Sequence, residues 1–139
     1  MKLQIFTDGG CSGNPGPAAI GVVIKDGAKT VKTLSRAIGQ GTNNIAEYTA
    51  LIVALQEALI LKADDVSVKA DSELMVKQVA GSYAVKHENI KPLFEQVKHL
   101  ITGFKSFQIT HVPREENAEA DALVRQVLKK ASQGDRADA

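Results

Sequence analysis

The stretch that decides the fold is residues 2–25, KLQIFTDGGCSGNPGPAAIGVVIK. Residues 2–8 and 18–25 are rich in β-branched and apolar side chains, and the glycines and prolines between them are typical of a loop. We therefore predict two paired strands. After the Asp-Gly turn signal at 26–27, the run TVKTLSRAIG (30–39) predicts a third strand, and the short connections favour an antiparallel meander.

The rest of the chain alternates helical and extended patterns. The predicted elements are a helix over 44–62 with a wide apolar stripe, a strand over 65–71, a short helix over 72–81 ended by Gly81, a helix over 89–102 with Pro92 in its first turn, a strand over 106–112, and a helix from near Glu115 or Glu116 to about Ser132. The order βββαβααβα predicts an α/β fold in which helices flank a five-stranded mixed sheet. We expect one domain over residues 1–132 and a flexible C-terminal tail over 133–139.

Composition bounds the class of protein without identifying a partner. A chain of 139 residues with 44% hydrophobic content fits one domain that buries about two thirds of its unfolded surface. With 17 basic and 16 acidic residues, the chain has no overall positive field that indicates nucleic acid. Cys11 is the single cysteine, the segment MKLQIF has no signal-peptide pattern, and the apolar run near 50–61 is too short for a membrane span. We expect a cytoplasmic protein that does not enter a membrane.

Four carboxylates occupy positions that indicate chemistry. Asp8 closes the run KLQIFTD and Asp71 closes DVSVKAD, so both lie at predicted carboxyl ends of strands, where open α/β sheets bind ligands. Glu47 shares the face of its helix that should be buried, and an unpaired buried carboxylate is costly. Asp121 lies in the small-residue stretch NAEADALV of the last helix. These positions predict a shared metal site.

Each carboxylate also has an ordinary structural explanation. A strand-end aspartate often forms a turn, and Asp71-Ser72 would equally cap the following helix. Glu47 would reach back to cap Thr42 or Asn43. If the four acids converge, however, their mutual repulsion keeps several protonated unless cations are bound. Oxygen-only ligands favour Mg²⁺ or Mn²⁺ over Zn²⁺, and a pair of such ions suits the hydrolysis of a phosphodiester.

Four ordered motifs resemble type 1 ribonuclease H. They are TDGGCSGNPGPA (7–18), TNNIAEYTALIVAL (42–55), ADSELMVKQVAG (70–81) and HVPREENAEADALV (111–124). The resemblance spans roughly residues 3–127. It implies the ribonuclease H-like fold and endonucleolytic hydrolysis of RNA in RNA–DNA hybrids during replication and repair, leaving 3′-hydroxyl and 5′-phosphate ends.

The resemblance also implies roles for particular residues. Asp8 would bridge two Mg²⁺ ions, with Mn²⁺ as the alternative metal, while Glu47 and Asp71 complete one coordination sphere each. Asp121 would support the ion that carries the attacking water. Substrate contacts carry over to Gly9, Gly10, Cys11, Asn14, Thr42, Asn43, Asn44 and Ser72. The 2′-hydroxyl is the group by which such contacts select RNA.

The chain departs from the family pattern in three places. Glu73 stands where many members have glutamine, which adds negative charge near the substrate groove. His111 has the expected spacing before Asp121 but lies at a predicted strand end, so His111 and Arg114 are both candidates for a supporting role. The stretch SYAVKHENIKPLFEQVKHL (82–100) lacks the basic insertion with which some relatives grip the hybrid, leaving dispersed lysines such as Lys86 to supply that charge.

Two alternatives therefore stay open beside hybrid hydrolysis. One is a nuclease of broader specificity that also cuts double-stranded RNA, and the other is a hybrid-binding module with weak or lost catalysis. The second alternative would be indicated by the loss of one of the four acids, and all four are present. No obligate protein partner is evident, and we expect a monomer.

Overall fold

The computed structural model describes the backbone of residues 1–138 and the side chains of residues 1–131. Its elements, in chain order, are β1 (Lys2–Cys11), β2 (Gly16–Asp26), β3 (Lys29–Gly41), α1 (Asn43–Ile60), β4 (Asp65–Ala70), α2 (Glu73–Val79), α3 (Lys91–Ile101), β5 (Ser106–His111), a 3₁₀ turn (Arg114–Asn117) and α4 (Ala118–Asp138). The predicted order of strands and α helices is confirmed.

The five strands form one mixed sheet in the order β3-β2-β1-β4-β5. The first three strands are antiparallel neighbours, which confirms the predicted meander. Strands β1, β4 and β5 run parallel. The chain passes through α1 before it reaches β4, and through α2 and α3 before it reaches β5, and such helical crossovers join parallel strands. The predicted five-stranded mixed sheet flanked by helices is therefore confirmed.

Strand β1 is longer than its apolar run predicts. Its pairing with β2 continues through the glycines as far as Cys11 with Ala18, so the loop between the two strands shrinks to residues 12–15. The prediction that Asp8 closes a strand was wrong, because backbone pairing outweighs the turn preference of glycine here. The parallel pairing of β1 with β4 does stop beside Asp8, since its last pair is Thr7 with Ala70.

Helices α1 and α4 cover opposite faces of the sheet. A Cβ added to Gly9 would meet the backbone of Ala46 in α1, whereas one added to Gly10 would meet Val124 in α4. Consecutive strand residues point to opposite faces, so the two helices lie on either side of β1. The main core lies under α1, where Leu3 and Ile5 pack among its buried leucines. Asp8 shares the face of Gly10, toward α4.

The last helix extends beyond its predicted end. A 3₁₀ turn leads into α4, and the backbone remains helical to Asp138, so the predicted end near Ser132 was wrong. Gly134 lowers helix propensity by only about 1 kcal/mol, and the sequence after 132 contains no proline that would break the helix. The flexibility predicted for 133–139 stays a prediction, and Ala139 lies outside the described residues. No helix among the described residues is long and apolar enough to cross a membrane.

Candidate active site

Three of the four predicted acids form a compact cluster. Carboxylate oxygens of Asp8, Glu47 and Asp71 all lie within 4.8 Å of one another. They come from β1, from α1 on one face of the sheet, and from the residue that directly follows β4. The pairing of β1 with β4 ends at Thr7 and Ala70, so the next residues, Asp8 and Asp71, lie side by side. Helix α1 brings Glu47 to the same place. The fold therefore creates the predicted convergence.

Glu47 is held by the sheet rather than by its own helix. Its side chain is buried, and its Oε1 accepts a hydrogen bond from the backbone N–H of Gly9. The cap position belongs to Thr42, whose side chain accepts from the Ile45 N–H at 3.2 Å. The alternative in which Glu47 caps α1 is therefore wrong, and this carboxylate is fixed against the strand that carries Asp8.

Burial and crowding keep protons on the cluster when no cation is present. Asp8 is 7% exposed, and its burial, followed by the charge of Asp71, raises its pKa to about 7. Burial, followed by the charge of Asp8, raises the pKa of Glu47 well above its ordinary value. Such an arrangement is stabilised by a bound cation, which offsets both the desolvation and the repulsion.

Asp71 is free of the capping role that its sequence context allows. Ser72 is the N-cap of α2, and its side chain accepts from the Met75 N–H at 3.3 Å. Asp71 instead faces the cluster and lies 3.9 Å from the Nε of Arg114, measured at its Oδ2. The serine therefore satisfies the helix end while the aspartate remains available as a ligand.

Asp121 lies at the rim of the cluster. Among the described residues it is not part of the group within 4.8 Å, although its charge contributes to raising the pKa of Asp8. Its Oδ2 lies 3.0 Å from the Nε of Arg125, one turn further along α4. Asp121 therefore faces the same centre from the opposite face of the sheet to Glu47, but at a greater distance.

All four acids line one open cavity of about 910 Å³. Eight of the ten other predicted site residues also line it: Gly9, Gly10, Cys11, Asn43, Asn44, Ser72, His111 and Arg114. Asn14 and Thr42 do not appear in its wall. Asn14 Oδ1 accepts from the Asn43 N–H at 3.1 Å, and Asn43 Oδ1 accepts from the Cys11 N–H at 3.2 Å, so these amides brace the β1–β2 loop against α1.

The two candidates for a supporting role both reach the cavity. His111 is the last residue of β5 and is exposed, and Arg114 lies on the exposed 3₁₀ turn that follows. Glu73 does not line the cavity and is paired with Lys77 at 2.6 Å, so its extra charge is partly compensated. Desolvation raises the pKa of the Cys11 thiol, which leaves it neutral at pH 7 and disfavours a nucleophilic role.

Two residues at the site were missed by the sequence interpretation. Arg125 lines the cavity and pairs with Asp121, and its spacing of four residues along a helix is a signal that would have identified it. Asn117 is buried and donates from Nδ2 to the carbonyl of Thr7 at 2.8 Å. That bond joins residues 110 positions apart, so no local pattern indicates it.

The donor set fits a hard divalent cation. It consists of carboxylate oxygens from separate elements, with no histidine or cysteine in the three-acid group. The cluster is buried at its base and open toward the cavity, which leaves room for water and for a substrate oxygen. The residues therefore support a metal-binding site.

Comparisons with known proteins agree with the fold. The model of the reverse transcriptase-like family matches residues 6–127. A bifunctional protein of Mycobacterium tuberculosis is 40% identical over the whole chain, which spans only 39% of that protein's length. The ribonuclease H1 structure from Halobacterium salinarum is 39% identical with a TM-score of 0.90, covering 94% of this chain and 99% of that one.

A second similar structure was determined with a nucleic acid. It is LC11-RNase H1 in complex with an RNA/DNA hybrid, which is 45% identical with a TM-score of 0.88 and covers 94% of this chain and 99% of that one. These matches extend over nearly the whole described domain, including the segments that carry all four acids.

Proposed function

Because the chain belongs to the type 1 ribonuclease H family, we propose that it is a metal-dependent endonuclease that hydrolyses the RNA strand of RNA–DNA hybrids. The observation that carries the proposal is the cluster of Asp8, Glu47 and Asp71 at the base of an open cleft, with Asp121 at its rim. The products would carry 3′-hydroxyl and 5′-phosphate ends. We propose that this activity removes RNA from hybrids during replication. We also propose that the protein acts in the cytoplasm as a monomer.

The carboxylates would hold two Mg²⁺ ions, or Mn²⁺ in their place. Asp8 lies between the acids of both faces of the sheet and is the residue best placed to serve both ions. When bound, the ions supply an activated water and stabilise the leaving oxygen. Glu47 stays fixed by the Gly9 N–H. This bond would keep the Glu47 carboxylate in place for a cation, and the binding of a metal would require the acids to be deprotonated.

The remaining wall of the cavity would position the hybrid. Gly9 and Gly10 line the cavity with backbone groups, and Asn43, Asn44 and Ser72 offer polar groups for 2′-hydroxyls and base edges. Asn14 and Thr42 would act indirectly, since they brace the loop and cap α1.

Basic charge for the phosphates is sparse around the site. Arg114 and Arg125 are the lysine or arginine residues that line the cavity within the described chain. Lys32 and Lys91 are already paired with glutamates, and residues 80–90 connect α2 to α3 without an added basic helix. The segment between α2 and α3 therefore adds few contacts by which the protein would distinguish an RNA–DNA hybrid from double-stranded RNA. We propose cleavage of double-stranded RNA as a second candidate activity, weaker than hybrid cleavage.

The test is a cleavage assay with end-labelled duplexes. Purified protein would be incubated with an RNA–DNA hybrid in Mg²⁺, in Mn²⁺ and in EDTA, beside the variants Asp8→Asn, Glu47→Gln and Asp71→Asn. Asp26→Asn, at the last residue of β2 and away from the cavity, is the matched control. The proposal is supported if the wild type and the control cleave the hybrid in a metal-dependent way and the three acid variants do not.

Two outcomes would reject it. Folded wild-type protein that binds the hybrid without cutting it would support the binding-module alternative. Cleavage retained by Asp8→Asn would place the catalytic metal elsewhere. A double-stranded RNA substrate in the same assay measures the breadth of specificity.

A further inference from the structure

Asn117 connects α4 to the strand that carries Asp8. It lies one turn before Asp121, is 1% exposed, and donates from Nδ2 to the carbonyl of Thr7, the residue before Asp8. Its Oδ1 has no hydrogen-bond partner among the described residues. A buried amide that is only half satisfied destabilises a fold, so packing alone is a poor explanation for an asparagine here.

Gly21, in the neighbouring strand β2, provides a second connection between the sheet and α4. It is the cross-strand partner of Asp8 in β2. A Cβ at this position would overlap the backbone carbonyl oxygen of Ala120, the residue before Asp121, and would lie 3.0 Å from the Cβ of Leu123. The backbone of α4 therefore rests directly on the sheet at Gly21, and any side chain larger than hydrogen would push the helix outward.

Both connections join a neighbour of Asp8 to a neighbour of Asp121. We propose that Asn117 and Gly21 are positioning residues that set the distance between the Asp8 and Asp121 carboxylates, and so control metal binding at the rim of the site. The proposal rests on the metal-dependent function proposed above.

The other face of the sheet shows why Asp121 needs such positioning. There Gly9 lies against Ala46, and Glu47 is also bonded directly to the Gly9 N–H. Among the residues whose side chains are described, Asp121 makes no comparable bond to the sheet, and its ion pair is with Arg125 of its own helix. Its place relative to Asp8 therefore depends on how α4 is seated, and a shift of the helix moves the carboxylate with it.

The experiment compares Asn117→Ala and Gly21→Ala with Gly103→Ala. The control introduces a milder clash away from the cavity, because a Cβ at Gly103 would lie 2.7 Å from Leu59 Cδ2, the end of a flexible side chain. Mn²⁺ binding would be followed by electron paramagnetic resonance without substrate. The kcat, the KM for the hybrid and the Mn²⁺ concentration for half-maximal rate would be measured below each variant's unfolding temperature.

We expect both test variants to lose about 10- to 100-fold in metal affinity or kcat, as when the partners of metal ligands are removed. Their KM for the hybrid should stay within about twofold, since uniform substrate binding is not touched. The control should keep wild-type metal binding and kcat even if its unfolding temperature falls.

Three results would overturn the proposal. One is wild-type metal binding and kcat in folded Asn117→Ala. Another is an equal loss in Gly103→Ala, which would indicate general destabilisation. The third is a fall in substrate affinity with unchanged metal binding. If Gly21→Ala does not fold, Asn117→Ala and Asn117→Ser decide the matter. If the wild type binds Mn²⁺ but does not cleave hybrids, the proposed function fails while the binding measurement still tests the positioning.

Discussion

The two helices that bring acids to Asp8 do so in different ways. On the α1 side, Glu47 is buried, bonded to the Gly9 backbone and part of the compact cluster. On the α4 side, the Asp121 side chain is 16% exposed, paired with an exposed arginine and outside that cluster. The α1 side is therefore a fixed ligand platform, whereas the α4 side is a rim whose distance from the centre depends on helix seating.

Substitution of the acids should separate the platform from the rim most strongly. We expect Asp8→Asn and Glu47→Gln to lower kcat by about 1,000-fold or more, because each removes part of a metal site that contributes several kcal/mol to catalysis. Single-turnover cleavage of a hybrid in Mg²⁺ measures the loss. Similar cleavage rates for Glu47→Gln and wild type would contradict the view that the α1 side is a fixed ligand platform.

Asp121→Asn should have a smaller effect. The asparagine keeps the shape of the side chain and one of its oxygens. We therefore expect the kcat of this variant to fall by about 10- to 100-fold, in the range seen when groups that support metal ligands are removed. The same assay, with metal concentration varied, should show that excess Mn²⁺ recovers more activity in this variant than in Glu47→Gln. A complete loss of cleavage in Asp121→Asn would show that all four acids are equally important for catalysis.

The pH dependence of stability should test the crowding around Asp8. The pKa of Asp8 is raised from 3.8 to about 7, so the folded state binds more protons than the unfolded state within this range. The metal-free protein should therefore lose stability as pH rises from about 4 to 7, and Asp8→Asn should be more stable than wild type at pH 8 by up to about 4 kcal/mol. Urea denaturation in EDTA at pH 5 and 8 measures this, with Asp26→Asn as control.

Added Mg²⁺ should reverse that trend. A cation that binds only the folded state stabilises it by mass action, so wild-type protein at pH 8 should gain stability with Mg²⁺ while Asp8→Asn gains little. Stability of the metal-free wild type that increases between pH 5 and 8 would contradict the raised pKa of Asp8.

The smallest effect is expected at the rim ion pair. Arg125 is 72% exposed at its side chain, and exposed pairs four residues apart on a helix contribute about 0.3–0.5 kcal/mol. Arg125→Gln should therefore change the free energy of unfolding by no more than about that amount, measured in urea at low salt. A loss several times larger would show that the rim is as tightly built as the platform.

Much of the fold was predictable because its signals are local. The β-branched and apolar runs of β1 and β2, the apolar stripe of α1 and the capping serine before α2 each depend on neighbours within a few residues. The four acids were identified by their motifs. The end of β1 was misplaced because the glycines after Asp8 are typical of a loop, while their pairing with β2 depends on a partner strand.

The amino-acid sequence by itself determined the element order, the mixed sheet and which four carboxylates to examine. Only the tertiary structure decided that Glu47 bonds to the Gly9 N–H instead of capping its helix, that Thr42 and Asn14 brace the site rather than line it, and that Asn117 reaches Thr7. The physical reason is that hydrogen bonds and close contacts between distant segments depend on how helices seat on the sheet. That seating is set by a glycine on each face beside Asp8, and no local pattern in the chain encodes it.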